Sequence, residues 1–191
     1  YMGLVEFGVG LIPGGGGTKE FVLRLHDEMH EGDTRINRLR DRFLTIGQAK
    51  VSTSAYEAFE HGYLREGIDE VVVNRRDQLA RAKRAALELA DAGYTQPIER
   101  KDIVVSGQEG LGIVYVGAHS MMSGNYMSEH DQVISEKLGY VLCGGDLSER
   151  QAVSERYLLD LERKAFVELC MQRKSLERMQ SLIQKGKILR N

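Results

Sequence analysis

Val5-Glu6-Phe7-Gly8-Val9-Gly10-Leu11-Ile12-Pro13-Gly14-Gly15-Gly16-Gly17-Thr18 carries the most informative pattern in the sequence. Apolar residues alternate with glycine, and one carboxylate, Glu6, stands among them. Pro13 and four consecutive glycines then form a turn, and helical periodicity begins at Thr18. Leu11 and Ile12 anchor the turn on one side, so it is not a flexible linker. Thr18 is the expected N-cap, and Glu20 places a negative charge in the first turn, where the helix dipole favours it. Two nucleotide-loop readings fail on spacing. A dinucleotide fingerprint needs glycine at its first, third and sixth positions, and the run from Gly8 puts Pro13 at the sixth. A phosphate-binding loop of the Gly-Lys-Thr type needs lysine before threonine, and here Thr18 precedes Lys19. Burial among apolar groups disfavours the charged form of a carboxyl and suits it to proton transfer. On the residues alone, an exposed glutamate near a chain end stays open beside that reading.

Working outward, the chain reads as mainly helical. After a helix carrying Phe21, Val22, Leu25 and Met29, Gly32-Asp33 breaks the pattern. A second helix bears Ile36, Leu39, Phe43 and Leu44. Ser52-Thr53-Ser54 caps a short helix that stops at His61-Gly62. Val71-Val72-Val73 and Ile103-Val104-Val105 are expected as small strands. A helix from Asn74 to Ala90 should bury Leu79, Ala82, Ala86, Leu87 and Ala90. Two further helices are expected over about 108–123, rich in small residues, and 129–143, with Ser128 and Asp131 in a capping arrangement. One long helix should run from Asp146 to Met171 and a last one from Ser175 to about Lys185, with Leu176, Met179, Leu182 and Ile183 inside.

Composition narrows the function classes. The 191 residues are 42% hydrophobic and 7% aromatic, with no Trp, which suits aliphatic helix packing. A net charge of −2 from 26 basic and 28 acidic side chains argues against a nucleic-acid module. Two cysteines make no disulfide framework, and buried thiols are expected at Cys143 and Cys170. No apolar run reaches the ~18–20 residues of a membrane span. No signal peptide is visible, so a cytoplasmic location is the expectation. His26 and His30 stand four apart, a spacing that can hold zinc on a helix. No third ligand is evident, so no metal is expected and a solvated face is preferred. The Lys/Arg runs at 81–84 and 173–178 alternate with acids or aliphatics and read as solvated helix faces.

The opening stretch resembles the second catalytic motif of the crotonase (enoyl-CoA hydratase/isomerase) superfamily. Glu6 falls on that family's second catalytic glutamate. Gly10 matches its glycine, and Pro13, Gly14, Gly16, Gly17 and Thr18 match its turn. Val5 departs from the usual proline, a change in backbone preference rather than in chemistry. Ala49–Leu64 is similar to a further segment of the family, Asp69–Val72 to the short strand after it, and 161–187 to its closing helices. The resemblance covers about residues 1–92 and 156–191. Residues 93–155 have no counterpart in a simple hydratase. With the terminal Lys-Gly-Lys-x-Leu-Arg-Asn, this insert looks like the bacterial multifunctional 3-hydroxyacyl-CoA dehydrogenases.

The resemblance implies a mainly α fold, the helical C-terminal part of a crotonase-like fold with at most two or three short strands. It implies three segments: core 1–92, insert 93–155 and closing helices 156–191. It implies chemistry on acyl-CoA thioesters in fatty-acid β-oxidation, with Glu6 as one of two acid/base glutamates, Gly14 as a backbone wall and Lys185 near CoA phosphate. The other glutamate, the oxyanion donors and an NAD-binding domain would lie upstream of Tyr1, and a start without Met fits such a cut. This chain would then hold no cofactor and be inactive alone. Its partners would be the acyl-CoA substrate and the upstream domains, with self-association through exposed apolar surface, or irregularity of the first twenty residues, as a consequence. A helical cap and assembly element for the dehydrogenase modules is the alternative.

Overall fold

A computed structural model describes residues 1–191. It contains eight α-helices and two small antiparallel sheets of two strands each. In chain order these are β1 (Met2–Gly3), a 3-10 turn (Glu6–Val9), α1 (Gly17–Asp27), α2 (Arg35–Gly47), β2 (Val51–Ser52) and α3 (Ala55–Glu60). A short 3-10 turn (Arg75–Asp77) leads into α4 (Gln78–Asp91). Then follow β3 (Ile103–Val105), α5 (Gly107–Ser123), α6 (Glu129–Leu142), β4 (Gln151–Val153), α7 (Glu155–Cys170) and α8 (Arg173–Lys185). The chain is mainly helical, as its periodicity predicts. No helix is long and apolar enough to cross a membrane.

One hydrophobic core joins elements from all parts of the chain. α6 lies at its centre, with Ile134, Leu138 and Val141 fully buried against α1, α2, α5 and α7. The expected stripes of α1 and α7 are the buried ones: Phe21, Val22 and Leu25 on α1, and Leu158, Leu161, Ala165 and Leu169 on α7. Ser128 and Asp131 form the expected capping box, each side chain bonded to the other's backbone N–H at 3.1 Å. Cys143 is fully buried and burial pushes its thiol up to about 12, so it is no thiolate nucleophile. Cys170 is half-buried.

Six expectations are corrected. The short strands number four, where at most two or three were expected, because β1, β2 and β4 are two or three residues long and show no period in sequence. Val71–Val73 is a loop, because no strand lies beside it to take its hydrogen bonds. The long helix starts at Glu155 and not at Asp146. Residues 151–153 pair instead with β3, in the register Ile103↔Val153, Val104↔Ala152 and Val105↔Gln151, and Ser154 caps α7 by accepting from the Tyr157 N–H at 3.1 Å. Thr18 lies inside the first turn of α1, whose N-cap is Gly16. α1 ends at Asp27, so His26 and His30 do not share a helix; His26 Nδ1 accepts from the Val104 N–H at 3.2 Å. The first twenty residues are ordered and not irregular: β1 pairs with β2, and the glycine turn leads directly into α1.

Two helices depart from their expected orientation. α4 has no buried residue: Leu79, Leu87 and Leu89 are all exposed, and it contacts mainly the 3-10 turn before it, with Arg81 bonded to Glu70. α8 is turned from its expected face: its buried residues are Ser175 and Arg178, Met179 is half-buried against the core as expected, and Leu176, Leu182 and Ile183 face outward. Hydrogen bonding turns the helix, because Arg178 reaches Asp131 and Ser175 reaches the glycine-rich turn.

Candidate active site

The turn Glu6–Val9 is a single 3-10 turn closed by Gly10, whose φ of 87° places it in the left-handed region. The Leu11 N–H donates to the Glu6 carbonyl at 3.1 Å, and the Gly8 N–H to the Val5 carbonyl at 3.0 Å. A Cβ on Gly10 would stand 2.9 Å from Ser175 Cα, so only glycine lets α8 approach so closely. Phe7, the next side chain after Glu6, is buried in the core and fixes the turn.

Glu6 itself is half-buried. Its Oε2 is shut off from solvent and has no hydrogen-bond partner. Such a carboxylate oxygen costs free energy unless a ligand satisfies it, and functional groups are where this cost is tolerated. Tyr63 lies within its field: burial pushes the phenol upward, and the Glu6 charge adds to that. The Tyr63 hydroxyl donates to the Lys50 carbonyl at 2.7 Å and accepts from the Leu4 N–H at 3.4 Å, tying β1 and β2 to the turn. Just before Glu6 in the chain, the side chains of Tyr1, Met2 and Val5 are exposed.

Gly14 lies eight residues on, in the glycine turn. It is exposed, and a Cβ there would meet Phe166 of α7 at 2.5 Å. That contact explains the glycine by packing. Lys185 is exposed in the last turn of α8. It lies ten residues from Ser175, roughly 15 Å along the helix at ~1.5 Å per residue.

Two residues were missed by the sequence reading: Tyr63 and Glu162. Glu162, on α7, is fully buried at the start of α1. Its carboxylate accepts from the Gly16 N–H at 2.5 Å and the Lys19 N–H at 2.9 Å, and also from the Thr18 N–H. Burial outweighs these donors and pushes the carboxyl above its ordinary range. The signal was a carboxylate four residues after Leu158, on the buried stripe of α7, where an acid needs a partner. The same contacts occupy three N–H groups at the start of α1, those of Gly16, Thr18 and Lys19, where a helix N-terminus otherwise receives an anion. Glu162→Ala should lower stability by about 1–2 kcal/mol at pH 7, measured by urea unfolding. The raised native pKa means that the proton-linked part of Glu162's contribution is present below pH 4.5 and lost as pH rises through the native value.

The chain is similar along its whole length to a Bacillus subtilis (strain 168) protein named "Probable 3-hydroxyacyl-CoA dehydrogenase", with 44% identity over 191 residues. It spans 24% of that relative's length. No family model matches the chain. No solved structure matches it.

Proposed function

We propose that this chain is the C-terminal part of an enzyme of 3-hydroxyacyl-CoA dehydrogenase/enoyl-CoA hydratase type, acting on acyl-CoA thioesters in fatty-acid β-oxidation. The similarity to the Bacillus subtilis protein supports the dehydrogenase-related parent. The hydratase part rests on one observation: the unpartnered, solvent-shielded Oε2 of Glu6 on the 3-10 turn that Gly10 closes. In this reading 1–92 and 156–191 belong to a crotonase-like module and 93–155 is inserted, although helices of all three segments share one core.

Hydration adds the O–H oxygen of water to C3 of a 2-enoyl thioester and a proton to C2, with no redox change. Glu6 is the acid/base that serves the water or the α-carbon, paired with a second glutamate outside this chain. Backbone N–H donors, also outside it, stabilise the enolate-like oxygen. NAD serves the parent's dehydrogenase step and is held by residues elsewhere. The chain alone, lacking the second carboxylate, should leave crotonyl-CoA unchanged; turnover by the purified chain contradicts this. The test of the site itself is Glu6→Gln in the full-length protein.

A second reading, that the chain is a helical cap for the dehydrogenase modules, is favoured by the outer face of α5. Ile113 and Val116 are exposed there, and a Cβ on Gly112 or Gly117 would meet nothing within 4 Å. Close packing inside the chain uses other glycines, Gly110 and Gly139. Ile113→Arg with Val116→Arg should leave the chain folded, with stability changed by less than about 0.5 kcal/mol. Pull-down of the separately expressed remainder of the polypeptide should be lost with this variant. Undiminished binding removes the cap reading and leaves the Glu6 reading untouched.

A further inference from the structure

A buried relay runs from α6 through α8 to the turn that carries Glu6. The Ser175 hydroxyl donates to the Gly10 carbonyl at 2.6 Å, and His130 Nε2 stands 2.9 Å from Ser175 Oγ. Ser175 is 0% exposed and His130 2%. The proton positions follow from the chemistry of the three groups. A carbonyl can only accept, so the single proton of Ser175 goes to Gly10. Ser175 Oγ therefore accepts from His130, and Nε2 carries the proton. Burial, with the Arg178 and Lys174 charges adding to it, holds the imidazole below its ordinary range, so the donor is the neutral Nε2–H form.

The relay ends on the residue that closes the Glu6 turn. Gly10 is the left-handed cap of that turn, and its N–H bonds back to the Glu6 and Phe7 carbonyls. One 3-10 turn has no slack to absorb a shift at its exit. α8 touches the turn at its own N-terminal end, and Ile188, beyond its C-terminus, lies against Gly8. Resting on the assignment of Glu6 as an acid/base, we infer that Ser175 and His130 are positioning residues that hold the Glu6 turn in its working geometry. They touch no reacting atom. They act by fixing the Gly10 carbonyl, and a misplacement of about 1 Å in a catalytic group can cost on the order of 100-fold in rate.

The test uses the full-length protein and hydration of crotonyl-CoA. Ser175→Ala and His130→Ala should each lower kcat about 10-fold, with KM within about 2-fold of wild type. His130→Gln, whose amide N–H can donate to Ser175, should recover kcat to within about 3-fold of wild type, and this comparison decides the matter if Ser175→Ala fails to fold. The double variant Glu6→Gln/Ser175→Ala should be no slower than Glu6→Gln alone, since positioning has nothing left to act on. A Ser175→Ala kcat within about 2-fold of wild type overturns the inference. So does a double variant as slow as the product of the two single losses, or a His130→Gln no better than His130→Ala. Failure of the Glu6 assignment is read separately, from the Glu6→Gln single variant.

Discussion

Glu6→Gln in the full-length protein is expected to lower hydration of 2-enoyl-CoA by about 100-fold or more. The substitution keeps the size and shape of the side chain and removes the ability to take or give a proton. The turn should be unaffected, because no side-chain hydrogen bond of Glu6 holds it; its backbone carbonyl and Gly10 do that work. Stability is expected to stay the same or rise slightly, since a neutral amide replaces a carboxylate whose Oε2 has no partner. A fall in activity with no fall in stability is the mark of a functional group. Steady-state kinetics beside urea unfolding separates this from a folding defect.

Arg178→Ala should be the most damaging change to stability, by about 3 kcal/mol or more in urea unfolding. The guanidinium is 0% exposed and meets Asp131 at 2.7 Å, Ser128 Oγ at 3.2 Å and Asn191 Oδ1 at 2.8 Å. Its loss leaves the buried Asp131 carboxylate with the Ser128 N–H, at 3.1 Å, and one cation, the exposed Arg190, also at 3.1 Å. Burial alone would raise the Asp131 carboxyl, but bonds from Arg178 and the Ser128 N–H outweigh it and hold it below its ordinary 3.8. That stability is present above pH 3.8 and is lost as pH falls through the native value. His130, held below 6.5 by burial and by the Arg178 and Lys174 charges, adds a loss that begins as pH falls below 6.5. The Arg178→Ala curve should therefore lie below wild type at neutral pH and close on it as pH falls through the Asp131 range. A cost under about 1 kcal/mol would mean that Arg190 replaces the buried pair.

The elements that were legible in sequence are those whose apolar stripe meets apolar neighbours. α1, α6 and α7 show their buried residues in their own spacing. α8 does not, because Ser175 and Arg178 find specific partners from Gly10 and Asp131, and hydrogen bonding outweighs the burial of Leu176 and Ile183. The stripe of α4 is correctly spaced, yet none of its residues is buried in this chain. β4 was hidden because three residues carry no period, and only pairing with β3 reveals it. In the site, Glu6 and the glycine turn were visible as a motif. Tyr63, Glu162 and the Ser175–His130 relay were not, since they join the turn from 57 to 165 residues away and only the fold brings them there.

We propose that Glu6 serves proton transfer in the hydration step of a larger enzyme. The most direct measurement assays wild-type and Glu6→Gln full-length protein for hydration of crotonyl-CoA and, in the same samples, for NAD-dependent oxidation of a 3-hydroxyacyl-CoA. The expected result is hydration lowered by about 100-fold or more with oxidation unchanged. Hydration equal to wild type in a Glu6→Gln protein that still oxidises the hydroxyacyl substrate would contradict it.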